Sequence, residues 1–400
     1  MALNTLVFFK VLLEVLRENT GAIDILALFP DIRLGAMLNA QKPPQRINSR
    51  PSPCVAAVEM LIFGPSGWKL TNRNQILNTP AAASENRDAR TFFRPRRLGH
   101  VNLVVGDVDR SMDFYMQIIG LEESYRRPLV KAGFLSNGNT HHDIGLVESG
   151  GPLGQGRRAG LNHTAFELET EVDLVADYDR AISSGVEFDR TSDHDIAHSV
   201  YGCDADGNQY EVYADVIRDW RQARHGVVTK TRPNWMPGST PPNGKRNYHS
   251  DPEIRRVEDA IFHPRRTTHA VLVLENFERC FEIYRTVVGL SPIIGDAHSA
   301  FAVLGGTCGE KNLGLFRARD GRAPGLHHVG LQVWGEADLN KSLKRLAGAG
   351  HEIEAAIDCP ARLSVFIRDP DGIRLQLYVD RYPSVEALGQ CDEETALILV

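Results

Sequence analysis

The sequence predicts an α+β fold in which four strand–helix–three-strand modules pair into two open barrels or cups, and three observations predict it. Residues 98–215 and 267–380 can be laid over each other with one small slip. Inside each copy lie two shorter units with the same plan, a strand, a helix and then more strands, which marks serial duplication rather than one large sheet. Imidazoles recur at the strand starts of both copies. His100 maps onto His269 and His142 onto Lys311 at an offset of 169, whereas His163 maps onto His328, Tyr201 onto Phe366 and Glu211 onto Gln376 at an offset of 165. The slip of four is a shorter loop, residues 316–326 in the second copy against 147–161 in the first.

The first strand, residues 100–105, alternates: His100, Asn102 and Val104 face one way, Val101, Leu103 and Val105 the other. Its apolar face packs on a helix over 109–119, capped by Asp107 or Asp109, with Met112, Tyr115 and Ile119 at core spacing and Gly120 where a positive φ ends the helix. Residues 276–288, followed by Gly289, repeat that helix. The second unit opens at His163, carries a helix over 171–184 that ends at Gly185, and closes through the turn 204–208 into a strand over 209–214. Its partner runs from His328 past Gly350 to the turn 369–372 and a strand over 375–379. Glu211 follows its Asp-x-Asp-Gly turn closely, which places it on a strand rather than a mobile loop.

Around these copies, residues 1–95 read as a partly disordered amino-terminal extension and residues 217–266 as a basic, proline-rich linker. The copies themselves are expected as domains at 96–216 and 267–382, and residues 383–400 as a short tail without a readable function.

A chain of 400 residues, 42% hydrophobic and 24% charged, exceeds one typical domain. A net charge of −6 leaves no basic field for nucleic acid or an anionic membrane, so small molecules are the expected partners. The six cysteines are scattered without a Cys-x-x-Cys pair, which fits a reducing compartment and a cytoplasmic location. The most apolar terminal run, residues 5–16, is broken by Lys10 and Glu14, so neither a membrane span nor a secretory signal is expected. Assembly into a homo-oligomer is allowed by the sequence and not readable from it.

Two imidazoles and one carboxylate occupy one face of an octahedral metal and leave positions open, the arrangement of non-haem Fe(II) oxygenases. His100, His163 and Glu211 supply that set from three strands of the first copy. The second copy replaces the carboxylate by Gln376, one histidine by Lys311 and the ring hydroxyl by Phe366. His269, His328 and Gln376 are expected to hold a metal weakly at best, and a structural role is expected of that half.

The repeated strand–helix–three-strand units resemble the vicinal oxygen chelate superfamily, and the first copy resembles a type I extradiol ring-cleaving dioxygenase. The resemblance rests on Gly99-His100-Val101, Gly160-Leu161-Asn162-His163 and Gly207-Asn208-Gln209-Tyr210-Glu211-Val212-Tyr213 as three ligand strands, on His141-His142-Asp143-Ile144-Gly145-Leu146 as the paired-histidine strand, and on Asp193-His194 with Ser199-Val200-Tyr201. It implies Fe(II), with Mn(II) as the alternative, held by His100, His163 and Glu211. It also implies a catechol-type substrate with O2 as co-substrate, His142 as acid–base residue, and His194 and Tyr201 against the substrate oxygens. The function implied is that of an oxidoreductase of aromatic-compound catabolism, inserting both atoms of O2 with ring opening. The residues leave two alternatives open. One is a glyoxalase-like metal-dependent lyase or isomerase, which wants a fourth protein ligand for which Asp143 and Glu148 are the acidic candidates. The other is a non-catalytic small-molecule-binding protein, which needs none of the three ligands. Strand alternation turns His141 away from the cup, His198 is expected at the surface or rim, and the basic run 94–97 and the linker arginines are expected in solvent.

Overall fold

The computed structural model describes residues 91–381 and 388–400. The extension read over 1–95 lies, up to residue 90, outside them. Along the first copy run β1 (Arg97–Val105), α1 (Val108–Phe114, continued by a π turn over Tyr115–Ile119), β2 (Glu123–Arg127), β3 (Ala132–Leu135), β4 (Ile144–Glu148), β5 (Gly160–Glu167), α2 (Glu171–Ser183), β6 (Arg190–Asp193), β7 (Ala197–Cys203) and β8 (Gln209–Asp215). This is strand, helix and three strands, twice over. After α3 (Trp220–Ala223) and the two-residue β9 (Gly226–Val227), the plan repeats. It comprises β10 (Pro264–Leu274), α4 (Phe277–Glu282), β11 (Ser291–Ile294), β12 (Phe301–Gly305), β13 (Lys311–Arg317), β14 (Gly325–Val333), α5 (Glu336–Gly348), β15 (Ala355–Asp358), β16 (Arg362–Arg368) and β17 (Arg374–Asp380). A last helix, α6 (Glu393–Leu399), lies in the tail.

Each copy forms one sheet. The first has the order β6-β7-β8-β5-β1-β4-β3-β2-β9, and the second, read from its far edge, β15-β16-β17-β14-β10-β13-β12-β11, the same plan without the added edge strand. In both, the two module-opening strands pair antiparallel at the centre, β1 with β5 and β10 with β14. Each then pairs parallel with the closing strand of its own module, so β1 meets β4 and β5 meets β8. These pairings put His100, His163 and Glu211 on neighbouring strands.

The alternation of β1 follows its burial. Val101, Leu103 and Val105 enter the main core, Val104 packs with Tyr125, Phe134 and Val147, and His100 and Asn102 line the cup. The Asp107 carboxylate accepts from the Arg110 amide and starts α1, while Gly120 at φ 88° ends its π turn. The two copies also interlock through these helix ends. A Cβ on Gly120 would stand 2.1 Å from the Phe262 carbonyl, and one on Gly289, at φ 82°, would stand 1.6 Å from the Phe93 carbonyl. The segment leading into each copy thus crosses the other copy's helix end, where only glycine leaves room. The Asp-x-Asp-Gly turns do the same work: Asp206 accepts from the Glu275 and Asn276 amides ahead of α4, and Asp371 pairs with Arg110 in α1.

The basic run departs from expectation. Arg96 and Arg97 are buried and both bind Glu167, because the carboxylate is itself buried on β5 and needs positive charge nearby. The segment read as linker adds β9 to the edge of β2 and sends one of its arginines into the first cup. Among the described residues no helix is long and apolar enough to cross a membrane.

Candidate active site

The first cup encloses a cavity of about 420 Å³. His100 reaches it from β1, His163 from β5 and Glu211 from β8, and all three side chains are buried. Their candidate ligand atoms lie within 4.8 Å of one another. Glu211 Oε2 stands 2.9 Å from His163 Nε2 and 3.3 Å from His100 Nε2. Ligands about 2.1 Å from an ion at right angles to each other are about 3 Å apart, so these spacings fit one face of an octahedral site.

Protonation supports that fit. The Asn162 side-chain oxygen lies 2.7 Å from His163 Nδ1, and since an amide oxygen only accepts, the ring proton sits on Nδ1. His163 Nε2 faces Glu211 Oε2 at 2.9 Å, close enough for the imidazole and the carboxylate to share a proton or to share one ion. Burial lowers the pKa of His163 and takes that of His100 to about 4, against the opposing pull of Glu211, so both imidazoles are neutral and able to coordinate at neutral pH. Glu211 is held well below the usual carboxylate range by its hydrogen bonds and charge interactions with the two histidines, which outweigh its burial.

His142 lies beside this set, its ring 3.9 Å from that of His100. Its Nε2 donates to the Asn102 oxygen at 3.2 Å, and Nδ1, buried without a partner, keeps a lone pair. Burial pushes His142 well below its ordinary pKa. Gly145 makes the arrangement possible, since a Cβ there would stand 2.0 Å from the Asn102 oxygen. On the opposite wall, His194 Nε2 and the Tyr201 hydroxyl hydrogen-bond at 2.9 Å, and the Arg190 guanidinium lies 3.4 Å over the Tyr201 ring. Burial and the charge of Glu211 raise the Tyr201 pKa, so the phenol keeps its proton. All six residues singled out in the sequence line one cavity.

Other expectations change. His141 does not turn away: it lines the same cavity, 5.4 Å from the His100 ring, with Nδ1 3.2 Å from Asp215 Oδ1. Alternation fails because β4 begins only at Ile144, so residues 141–143 are loop. The linker arginine Arg232 lines the cup rather than solvent, together with Arg157 and Arg190. Asn102 could have been found from its place two residues after His100 on one strand face; Arg232 has no such signal. His198 lies off the cavity, bound to Glu171 and stacked on Trp235. Of the fourth-ligand candidates, Asp143 accepts from Ser136 and Asn139 and Glu148 pairs with Lys131; neither lines the cup. In the second cup the Gln376 amide is engaged on both sides, by Arg362 and by the Ile398 carbonyl, which opposes even the weak metal site expected there.

A model of the Glyoxalase/Bleomycin resistance protein/Dioxygenase superfamily matches residues 97–212 and 266–377. Biphenyl-2,3-diol 1,2-dioxygenase 3 of Rhodococcus globerulus is 30% identical over 125 residues, which are 30% of this chain and 63% of that protein, so the match spans less than two thirds of that relative. Catechol-2,3-dioxygenase of Bacillus subtilis (strain 168) is 25% identical over 244 residues, 59% of this chain and 74% of that one. Among solved structures, the Mn(II)-bound glyoxalase from Novosphingobium aromaticivorans superposes with a TM-score of 0.51 at 16% identity, covering 71% of this chain and 82% of its own. Homoprotocatechuate 2,3-dioxygenase from Brevibacterium fuscum, in complex with 3,4-dihydroxyphenylacetate, gives 0.50 at 18% identity, covering 74% and 84%. At these identities the structures share the fold.

The pKa directions in the cup fix the sign of a pH effect on the metal-free protein. His100 sits at about 4 in the fold against 6.5 when unfolded, so the unfolded chain binds its proton first and stability drains away as pH falls from 6.5 toward 4. Glu211, depressed in the fold, contributes stability that is present above its ordinary value of 4.5 and is lost as pH falls through the folded value. Both act in one direction. The urea midpoint of metal-free protein should fall steadily below pH about 6.5; a flat midpoint down to pH about 4 would contradict neutral buried imidazoles.

Proposed function

The chain belongs to the Glyoxalase/Bleomycin resistance protein/Dioxygenase superfamily, and on that footing we propose that its first cup is the active site of an extradiol dioxygenase, opening a catechol ring beside the diol with insertion of both atoms of O2. The observation that carries this reading is the convergence of His100 and His163 on one oxygen of Glu211, inside a cavity of a size suited to a small aromatic molecule. Fe(II), or Mn(II) in its place, held by these three residues would supply a centre where the diol oxygens and O2 meet side by side.

The remaining chemistry belongs to the protein. His142 offers its Nδ1 lone pair as the base that takes a proton from the reacting diol and returns it when the ring opens, with Asn102 fixing the tautomer. Tyr201 and His194, hydrogen-bonded to each other, form the wall a diol oxygen would face; with His194 donating to the phenol oxygen, the retained phenolic proton is free to donate to that oxygen. Two strands and the pairing across β7 and β8 keep Tyr201 opposite Glu211 in register, so substrate oxygen and ligand set are held at a fixed separation.

Charge narrows the substrate. Arg157, Arg190 and Arg232 line the cavity, and Glu211 is the one acid among the described lining residues. Arg232 Nε is buried without a partner. A catechol bearing an anionic substituent satisfies these groups. The likeness to a dioxygenase solved with 3,4-dihydroxyphenylacetate agrees with that choice of probe.

Anaerobic loading with Fe(II) followed by oxygen uptake on a catechol panel, watching for a yellow ring-opened product, tests the activity. His142→Ala should keep the metal yet lose roughly 10²- to 10⁴-fold in kcat; undiminished turnover would rule out the acid–base role. Arg232→Ala should raise KM for 3,4-dihydroxyphenylacetate about tenfold or more while sparing unsubstituted catechol. Equal losses on both substrates would remove the case for an anionic substituent.

A further inference from the structure

The second cup is a built pocket, and what fills it is the chain itself. At the end of α6, Ala396, Leu397, Leu399 and Val400 are buried, and Val400 has no exposed surface. Arg362 Nη1 donates to the Val400 oxygen at 2.7 Å and Gln376 Nε2 to the Ile398 oxygen at 2.8 Å. The valine side chain enters over Gly314, where a Cβ would stand 2.9 Å from Val400 Cγ1. At the mouth, Arg319 and Arg322 pair with Glu393 and Glu394. At the offset of 165, Gln376 stands at the place of Glu211, while Arg362 stands at that of Ala197, which lines no part of the first cavity.

The groups that hold this occupant are charged and buried. Arg362 is fully buried; it pairs with Asp380 at 2.8 Å and shares Nη1 between the Gln376 side-chain oxygen and the Val400 oxygen, so the tail sits directly on a buried cation. His328 Nε2 is buried without a hydrogen bond. The tail sets the Val400 oxygen on that cation and the Val400 side chain over Gly314. An oxygen on a buried guanidinium with a branched hydrocarbon beside it is the outline of a carboxylate carried on a short branched chain.

We propose that the second cup is a binding site for small aliphatic carboxylates, held in this fold by residues 393–400 as a resident peptide that such a molecule displaces. The site is independent of the chemistry assigned to the first cup. It explains why a copy that lost its carboxylate gained a buried arginine: the recognised charge has changed sign.

Hydrogen exchange of the 393–399 amides in the full chain tests this, with isovalerate as probe and isovaleramide as its neutral isostere. Isovalerate should speed exchange across that segment saturably, by roughly tenfold, while the β8 amides stay unchanged and isovaleramide has no effect. Glu393→Ala with Glu394→Ala should lower the half-saturating concentration roughly three- to tenfold by loosening the mouth. Arg362→Leu should abolish the response; should that variant not fold, the comparison of acid with amide decides. No response to isovalerate, an equal response to isovaleramide, or a uniform rise across the whole chain would each overturn the proposal.

Discussion

Burying a carboxylate costs several kcal/mol unless positive charge meets it, and the first cup buries one at 3% exposure. Among the described residues no arginine or lysine forms an ion pair with Glu211; its partners are two histidines that burial keeps neutral. Each points its Nε2 at the same carboxylate oxygen, His163 at 2.9 Å and His100 at 3.3 Å. The site thus sets one carboxylate and two imidazoles around a common point, the arrangement a divalent ion would complete, with His142, His194 and Tyr201 on the walls of the same cavity.

The second copy keeps the same scaffold without that carboxylate. Gln376 takes the place of the carboxylate on the equivalent strand, β17 against β8, so no charge is left to neutralise. Its amide serves instead as a donor to the Ile398 carbonyl, beside a buried arginine absent from the first copy. Duplication supplied the frame: the order of strands, the antiparallel centre and the crossed glycine contacts are common to both halves. Four differences on that common frame, Gln376 for Glu211, Lys311 for His142, Phe366 for Tyr201 and Arg362 for Ala197, separate the two cups.

Much of this was legible in the sequence, for a physical reason. Side chains on a strand alternate, so His100 and Asn102 share a face with no further information, and the Asp-x-Asp-Gly turn anchors Glu211 in register. The repeat then aligned three strands that the fold places side by side. What escaped lay where alternation has no force. His141 stands in a loop ahead of β4, Arg232 comes from a segment with no periodicity at all, and Arg96 and Arg97 were drawn inward by Glu167, a carboxylate whose burial a sequence does not announce. The tail is a similar case. Its seven-residue helix carries little signal alone, and only the cavity left by the second copy gives its apolar residues a place to go.

Metal stoichiometry tests the central claim most directly. Anaerobic titration of the full chain with Fe(II), and in parallel with Mn(II), should end at one ion per chain, and Glu211→Gln should weaken that binding by roughly two orders of magnitude or more while leaving the fold intact by circular dichroism. Two ions per chain, or a Glu211→Gln protein that binds as tightly as the parent, would contradict it.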